Sequence, residues 1–231
     1  CAMKVGTDGV LLGAWCPIDR LPEDNSPYTI LDIGTGSGLI ALMLAQRTEQ
    51  RKDCRIVGID IDPNATTQAA ENFALSPWKE RLQSQHISLQ DFAANSSAKT
   101  QRYDLIVSNP PYFQNSLKNP DKGREQARHT DSLSYGDLVS SALRLMAPGG
   151  RLAVVYPPSE AASFTMEAES GGLFLLRRCE VRSMPSKPVR RVLSEFGRTR
   201  CRPVFETLCI QDGPSSFSAE YSSLVKDFYL R

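Results

Sequence analysis

Short apolar runs alternate with helix-like segments over residues 29–170. Runs typical of buried strands are TILDI (29–33), RIVGI (55–59), HISL (86–89), YDLIV (103–107) and RLAVVY (151–156). Between them, apolar residues recur at helical spacing at 37–47, 63–75, 135–146 and near 159–170. Strands that alternate with helices are typical of a parallel sheet covered on both faces, so the pattern predicts an α/β fold.

The pattern changes in the last quarter of the chain. LFLLRRCEVR (173–182) and VFETLCI (204–210) are strand-like, and no helical pattern lies between them. We interpret them as an antiparallel pair at one edge of the sheet, with the intervening segment as an excursion. No repeat or low-complexity linker interrupts the chain, so we expect one domain over 1–231. It comprises an N-terminal segment over the cofactor site (1–28), a cofactor-binding core (29–170) and edge strands with a basic insertion (171–231).

Composition favours a cytoplasmic protein. Of 231 residues, 41% are hydrophobic, and no run approaches the ~20 apolar residues of a membrane span. The six cysteines show no CxxC pair and no zinc-like spacing with His, so we expect reduced, mostly buried thiols and no metal. We also expect a monomer. Because the chain begins with Cys rather than Met, we expect further N-terminal residues in the natural protein.

Positive charge is concentrated in one segment. Residues 177–202 contain nine Lys or Arg and two Glu, which gives +7, whereas the whole chain carries only +1. A segment of this charge is typical of a surface that binds a polyanion, although a solvated basic loop has the same composition.

The strongest motif is LDIGTGSG (31–38), in which three glycines follow a strand and open a helix. Glycines at such a turn allow a ligand to approach the backbone closely. In the dinucleotide fingerprint the third glycine comes three residues after the second, but here position 39 is Leu and the glycine is Gly38. The spacing therefore indicates a small-molecule site and argues against NAD.

Acidic residues follow the next two predicted strands. Asp60 ends the second strand, where a carboxylate can accept bonds from both hydroxyls of a ribose. Asp91 and Phe92 come after the third, where an acceptor and a ring would suit an adenine. Ligands of open α/β sheets bind at the carboxyl ends of the strands, so these residues predict a nucleoside site.

The fourth strand ends in SNPPYF (108–113). DIGTGSG, Asp60, Asp91-Phe92 and this NPPY sequence together resemble the S-adenosylmethionine-dependent methyltransferases that act on amino groups. The resemblance covers essentially the whole chain and implies a Rossmann-like class I fold, whose seven-stranded, mostly parallel sheet has an antiparallel last strand and helices on both faces. KVGTDGVLLGAW (4–15) and REQARHT (124–130) are similar to the bacterial family that methylates N6 of the adenine 3′ to the anticodon of a valine tRNA. The resemblance thus implies a tRNA-modifying enzyme with S-adenosylmethionine as cofactor and tRNA as partner.

Under this resemblance NPPY is the catalytic motif. The Asn109 side-chain oxygen and the Pro110 carbonyl accept hydrogen bonds from the exocyclic amine and turn its lone pair toward the methyl group. Pro110 and Pro111 make the corner rigid, and Tyr112 stacks on the extruded base.

The resemblance extends to further contacts. Cofactor contacts are expected from Lys4, Thr7, Asp8, Asp32, Gly34, Thr35, Gly36, Gly38, Asp60, Ile61, Asp91, Phe92 and Asn109. RNA contacts are expected from Arg124 and Arg128 and, because of the charge of the basic segment and not because of the resemblance, from Lys187, Arg190 and Arg191.

Several assignments have structural alternatives. Asp8 could be an N-cap of the helix GVLLGAW, and Asp91-Phe92 could be a strand end and a core ring. Arg124, Arg128 and His129 could form a solvated loop face. Proteins with NPPY also methylate DNA adenine, guanine N2 of ribosomal RNA or a glutamine amide of a protein, and a catalytically silent RNA-binding protein is a further alternative.

Overall fold

An eight-stranded, mostly parallel sheet carries helices on both faces. The computed structural model describes residues 6–18, 27–95, 102–111, 133–214 and 216–228. The strands of the sheet are β1 (Thr29–Ile33), β2 (Arg55–Asp60), β3 (Leu82–His86), β4 (Tyr103–Ser108), β5 (Met146–Tyr156), β6 (Phe174–Arg182), β7 (Val189–Gly197) and β8 (Val204–Cys209). The described α-helices are α1 (Thr7–Trp15), α2 (Leu39–Arg47), α3 (Pro63–Leu75), α4 (Leu89–Ala94), α5 (Tyr135–Leu145), α6 (Pro158–Gly171) and α7 (Ala219–Val225), and a short 3-10 helix (Lys79–Arg81) precedes β3.

The strand order is β3-β2-β1-β4-β5-β7-β6-β8. Of these described strands, only β7 runs antiparallel to its neighbours β5 and β6, while β6 pairs with β8 in parallel. A short hairpin of β9 (Gln211–Gly213) and β10 (Ser216–Phe217) follows the sheet. The expected α/β class with one reversed strand is therefore confirmed, and β8 adds an eighth strand to the expected seven.

Alternate residues of the strands face two apolar layers. On β1, Ile30 packs with α1, α2, α3 and α7, whereas Leu31 and Ile33 pack with α4, α5 and α6. This alternation follows from the period-2 geometry of a strand, and because both faces are covered the central strands are mainly apolar.

Two strand assignments differ from the sequence-based expectation. The pattern of HISL (86–89) predicts a strand, but β3 lies earlier, at Leu82–His86, and Leu89 begins α4. The strand LQSQH is an edge strand with mostly polar residues and no fully buried side chain, so it leaves no apolar run in the sequence.

The expected edge pair of 173–182 and 204–210 is present as β6 and β8, but the two strands run parallel and not antiparallel. The segment between them is not an excursion, because it contains β7, which separates β6 from β5 inside the sheet. The charged residues Arg190, Arg191 and Glu195 obscure this strand in the sequence. Glu195 is only 4% exposed, and it is buried between the guanidinium groups of Arg151 and Arg177 at 3.2 and 3.1 Å.

Among the described residues, no helix combines the length and apolar content needed to cross a membrane. In that same part of the chain, no group of three or more His, Cys, Asp or Glu side chains could hold a metal ion. Cys16, Cys54 and Cys179 are buried free thiols.

Candidate active site at the carboxyl edge of the sheet

The glycine loop, Asp60 and the NPP corner meet at one edge of the sheet. Ile33, the last residue of β1, is in register with Ile59 on β2 and with Ser108 on β4. The residues that follow these three positions, Gly34, Asp60 and Asn109, therefore lie side by side at the carboxyl edge. This is the edge at which open α/β sheets bind their ligands.

The glycine loop adopts backbone conformations that other residues rarely take. The φ angles of Gly34, Gly36 and Gly38 are 69°, 56° and 81°, all in the left-handed region. A Cβ on Gly38 would lie 2.4 Å from Cε1 of Phe73, whereas a Cβ on Gly34 would meet nothing within 4 Å. Gly38 is thus required by the packing of α3, and Gly34 borders open space from which a ligand can approach the backbone.

Asp60 connects the glycine loop to the end of β2. Its Oδ2 accepts a hydrogen bond from the backbone N–H of Gly36 at 2.9 Å, and its Oδ1 accepts one from the N–H of Asp62 at 3.0 Å. Each carboxylate oxygen has a second lone pair, so both can also accept a ligand hydroxyl.

The next residue adds an apolar surface to this acceptor pair. The Ile61 side chain is 59% exposed, so its apolar surface is available for contact with a flat ring. A paired hydroxyl acceptor, an exposed apolar side chain and an open glycine backbone fit a nucleoside-containing cofactor.

Asp32 and Thr35 lie beneath the loop. The Asp32 carboxylate is fully buried, and its Oδ2 accepts hydrogen bonds from Thr35 Oγ1 at 2.8 Å and from the N–H of Ala41 at 3.2 Å. Burial, and to a lesser extent the nearby Asp60 charge, raises the pKa of Asp32 to about 7. Thr35 Oγ1 and Asp32 Oδ2 thus bond within the loop and fix its shape, whereas the buried Asp32 Oδ1 has no hydrogen-bond partner among the described residues. Contact of both side chains with the cofactor stays a prediction.

Asp91 and Phe92 do not lie at the end of a strand, contrary to expectation. They are residues of α4, whose N-cap Ser88 accepts a bond from the N–H of Asp91 and donates its hydroxyl to Asp91 Oδ2 at 2.7 Å. Asp91 is exposed, whereas Phe92 is 7% exposed in the apolar layer near Tyr103. Their contact with a cofactor stays a prediction.

The NPP corner begins directly after β4. Ser108 Oγ donates a hydrogen bond to the carbonyl of Ile33 at 2.9 Å and so ties the end of β4 to the residue before the glycine loop. Asn109 is half-buried, Pro110 is buried and Pro111 is exposed. Tyr112 lies outside the described residues.

The sequence interpretation did not single out two residues that shape this edge. Asn72 on α3 donates its side-chain N–H to the carbonyl of Ser37 in the glycine loop at 2.8 Å. Ser108 fixes the spacing of β1 and β4. Ser108 directly precedes NPPY and could have been noticed there, but no sequence pattern marks Asn72.

The N-terminal residues expected at the cofactor lie partly within the described chain. Lys4 lies outside it, while the exposed Thr7 is the first residue of α1. The N-cap of α1 is Gly6, so the alternative that Asp8 caps this helix is wrong. The Asp8 carboxylate instead forms an ion pair with Arg191, with 2.6 Å between Oδ2 and Nε.

The basic segment has residues at both ends of the strands, some at the carboxyl edge with the site and some at the opposite, amino edge. Tyr156 at the carboxyl end of β5 pairs with Val192, so the start of β7 lies at the site edge, and the exposed Lys187 and Arg190 lie there with it. Arg198, Arg200 and Arg202 follow the end of β7 and lie at the opposite edge. Arg124 and Arg128 are outside the described residues.

Comparisons with known proteins agree with this geometry. The family described as Methyltransferase small domain matches residues 13–176. A tRNA1(Val) (adenine(37)-N6)-methyltransferase of Trichodesmium erythraeum is 45% identical over all of this chain and 92% of its own length. The protein of the same name from Edwardsiella ictaluri is 46% identical over all of this chain and 88% of its length.

Solved structures show a similar fold at lower identity. A predicted O-methyltransferase from Agrobacterium tumefaciens superposes with a TM-score of 0.70 at 19% identity and covers 95% of each chain. A class I S-adenosylmethionine-dependent methyltransferase structure from Listeria monocytogenes has a TM-score of 0.59 at 15% identity, over 96% of this chain and 69% of the other.

Proposed function

Because the chain belongs to the Methyltransferase small domain family, we propose that it transfers a methyl group from S-adenosylmethionine to N6 of adenine 37 in a valine tRNA. Relatives with that activity in their names match the entire chain at about 45% identity. The structural observation that carries the proposal is the strand register, which brings Asn109 beside the glycine loop.

S-adenosylmethionine, when bound, supplies a methyl group that is already activated by a positively charged sulfur. The residues that would hold it are those with acceptors and open space at the carboxyl edge. Asp60 would accept the ribose hydroxyls, Ile61 would cover the base, and the backbone at Gly34 would border the rest of the cofactor.

The NPP corner orients the substrate amine. Two acceptors, the Asn109 side-chain oxygen and the Pro110 carbonyl, can bind the two N–H groups of adenine N6 and fix the direction of its lone pair. Pro110 is buried and Ser108 is bonded to Ile33, so the corner is held rigidly before substrate arrives. Positioning of this kind is the main contribution expected from the protein, because the methyl donor needs no further activation.

Tyr112 and several basic residues are proposed to hold the RNA. Tyr112 would stack on an adenine that has been turned out of the RNA, as enzymes acting on bases commonly require. Lys187 and Arg190 would contact phosphates from the same edge of the sheet. Arg124 and Arg128, which lie between Tyr112 and α5 in sequence, are proposed as further phosphate contacts.

The test is methylation of a defined RNA. Purified protein is incubated with S-adenosylmethionine and an unmodified valine tRNA transcript, and the nucleosides are analysed by mass spectrometry. We expect N6-methyladenosine from the wild-type tRNA and none from a transcript with guanosine at position 37.

The Asn109→Ala variant supplies the catalytic control. It should bind S-adenosylmethionine almost normally but methylate roughly 100-fold more slowly, because only the positioning of the amine is lost. Methylation of another nucleoside, or a normal rate in Asn109→Ala, would contradict the proposal.

A further inference from the structure

We propose that Arg191 is a positioning residue of the cofactor site that acts through Asp8, and that it is not one of the RNA contacts. The inference rests on the proposed function, since it concerns the same cofactor site. It replaces the sequence-based expectation for Arg191, which grouped this residue with Lys187 and Arg190 because all three lie in one basic segment.

The contact between Arg191 and Asp8 joins two distant parts of the chain. Arg191 lies near the start of β7, and Asp8 lies in the first turn of α1, 183 residues earlier. Nε of Arg191 donates to Oδ2 of Asp8 at 2.6 Å, and the two side chains are only 28% and 15% exposed. A short, directional bond between partly buried charges holds its partners more firmly than a fully solvated pair.

Asp8 lies close to the loop that would hold the cofactor. The next residue, Gly9, packs on the start of α2, where an added Cβ would lie 3.3 Å from Cδ2 of Leu39. Leu39 directly follows Gly38, the last glycine of the loop. One turn later a Cβ on Gly13 would lie 2.8 Å from Sδ of Met43, so α1 and α2 run side by side in the same direction. The first turn of α1 therefore borders the glycine loop.

The other end of α1 is anchored independently. Arg47 donates hydrogen bonds to the carbonyls of Gly13 and Cys16, each at 2.8 Å. The Arg177 guanidinium lies 3.9 Å from the centre of the Trp15 ring, and the Trp15 indole N–H donates to Glu206 at 2.8 Å. Loss of the Asp8–Arg191 pair should therefore release the first turn of α1 while the rest of the helix stays in place.

The neighbouring Arg190 offers a matched control. Arg190 lies at an irregularity of the β6–β7 pairing, where Val181 pairs with Arg191 and Arg182 with Val189. Its side chain is exposed, whereas the Arg191 side chain is half-buried against Asp8. Arg190→Gln and Arg191→Gln remove the same charge at adjacent positions but, in this proposal, affect different ligands.

The experiment measures cofactor affinity and RNA affinity separately. S-adenosylmethionine binding is measured by calorimetry without RNA, and the salt dependence of tRNA binding is measured without cofactor. Arg191→Gln should weaken cofactor binding by roughly two- to fivefold, the range expected for a partly exposed ion pair, and should leave the salt slope unchanged. Arg190→Gln should leave cofactor affinity unchanged and flatten the salt slope.

Two further variants separate positioning from general loss of structure. Arg191→Lys, which keeps a cation beside Asp8, should restore part of the cofactor affinity. In the double variant Asp8→Asn/Arg191→Gln, the second substitution should add little to the first, because both remove one interaction. Thermal unfolding of each variant without ligand verifies that the protein is folded.

The outcomes distinguish this inference from the proposed function. If the wild type binds S-adenosylmethionine and methylates tRNA, but Arg191→Gln binds the cofactor equally well and has a flatter salt slope, Arg191 is an RNA contact and the inference is wrong. Strictly additive effects of the Asp8 and Arg191 substitutions would also overturn it. A wild-type protein that does not bind S-adenosylmethionine at all would overturn the proposed function and the inference together.

Discussion

The carboxylates at the site edge have structural roles, and Asp60 also has a proposed role in ligand binding. Asp60 binds the N–H groups of Gly36 and Asp62 and so fixes the direction of its own lone pairs before a ligand arrives. Asp32 shapes the same loop from below, where burial makes its charged form unfavourable. The two roles are measured differently. Substitution of Asp60 should change the affinity for the cofactor, whereas substitution of Asp32 should change how the stability of the fold depends on pH.

Replacement of Asp60 tests its role as the ribose acceptor. Asp60→Ala should weaken S-adenosylmethionine binding by about 2–3 kcal/mol, because two charge-assisted hydrogen bonds are removed and the hydroxyls lose their acceptor. Asp60→Asn keeps one acceptor oxygen and should have an intermediate affinity. The measurement is calorimetry on folded variants, and an unchanged affinity in Asp60→Ala would remove this residue from the site.

The raised pKa of Asp32 predicts a pH-dependent stability. Its pKa is about 7 in the folded protein, against 3.8 for an aspartate in an unfolded chain, so the fold favours the neutral carboxyl. The stability that this preference contributes is complete below about pH 4 and is lost as the pH rises through about 7. Relative to Asp32→Asn, whose amide does not ionise, the wild type should lose up to a few kcal/mol of unfolding free energy between about pH 4 and pH 8.

Urea denaturation of both proteins at several pH values measures this difference. The amide oxygen of Asn can still accept the bonds from Thr35 and Ala41, so the loop should be retained in the variant. Parallel pH profiles of the two proteins would show that Asp32 has an ordinary pKa.

At the scale of elements, the junction of β1, the glycine loop and α2 determines where the ligand can approach. Gly38 is the N-cap of α2 and packs against Phe73 of α3, while Gly34 lies at the opposite end of the loop and faces open space. The loop is thus held by helix packing on one side and left open on the other.

Two alanine substitutions should separate backbone strain from steric conflict in this loop. Gly34→Ala and Gly38→Ala both place a side chain at positive φ, at a cost of about 1–2 kcal/mol. Only Gly38→Ala also forces a Cβ against the Phe73 ring, which should add roughly 1–3 kcal/mol. Chemical denaturation should therefore show Gly38→Ala to be the less stable variant, and equal stabilities would contradict the packing described here.

At the scale of the whole molecule, the sheet places the basic residues of 177–202 in three locations with different roles. Arg177 is used internally, in contacts with Glu195 and Trp15. Lys187 and Arg190 are exposed at the site edge, and Arg200 and Arg202 are exposed at the opposite edge. The same sheet takes strands from residues 29–60 and 174–209, which supports our proposal that the chain is a single domain.

This separation predicts which basic residues bind tRNA. The double variant Lys187→Gln/Arg190→Gln should weaken tRNA binding and reduce the slope of log affinity against log salt by about 0.7–0.9 for each phosphate interaction that is removed. The charge-matched variant Arg200→Gln/Arg202→Gln should bind tRNA like the wild type, because its substitutions lie at the far edge. Equal effects of the two double variants would indicate a response to net charge alone.

The sequence by itself determined the strands and helices whose type can be recognised from the pattern of their own residues. The predicted strand 29–33 and helix 63–75 match β1 and α3 residue for residue, and the predicted 103–107 differs from β4 by one residue. In each of them, the period of the apolar pattern indicates whether the element is a helix or a strand and which of its faces is buried. The glycine loop, Asp60 and Asn109 follow such strands directly, so the parallel sheet had to bring them to one edge, and the family resemblance drawn from them is confirmed.

Only the tertiary structure decided the elements whose stability comes from distant partners. β3 is a polar edge strand without a hydrophobic pattern, and β7 carries a buried Glu195 that is compatible with a central strand only because Arg151 and Arg177 neutralise it. The role of Arg191 likewise depends on Asp8, 183 residues away. A charge that is paired across the fold looks like a solvated charge in the sequence, because nothing in its local neighbourhood records the partner.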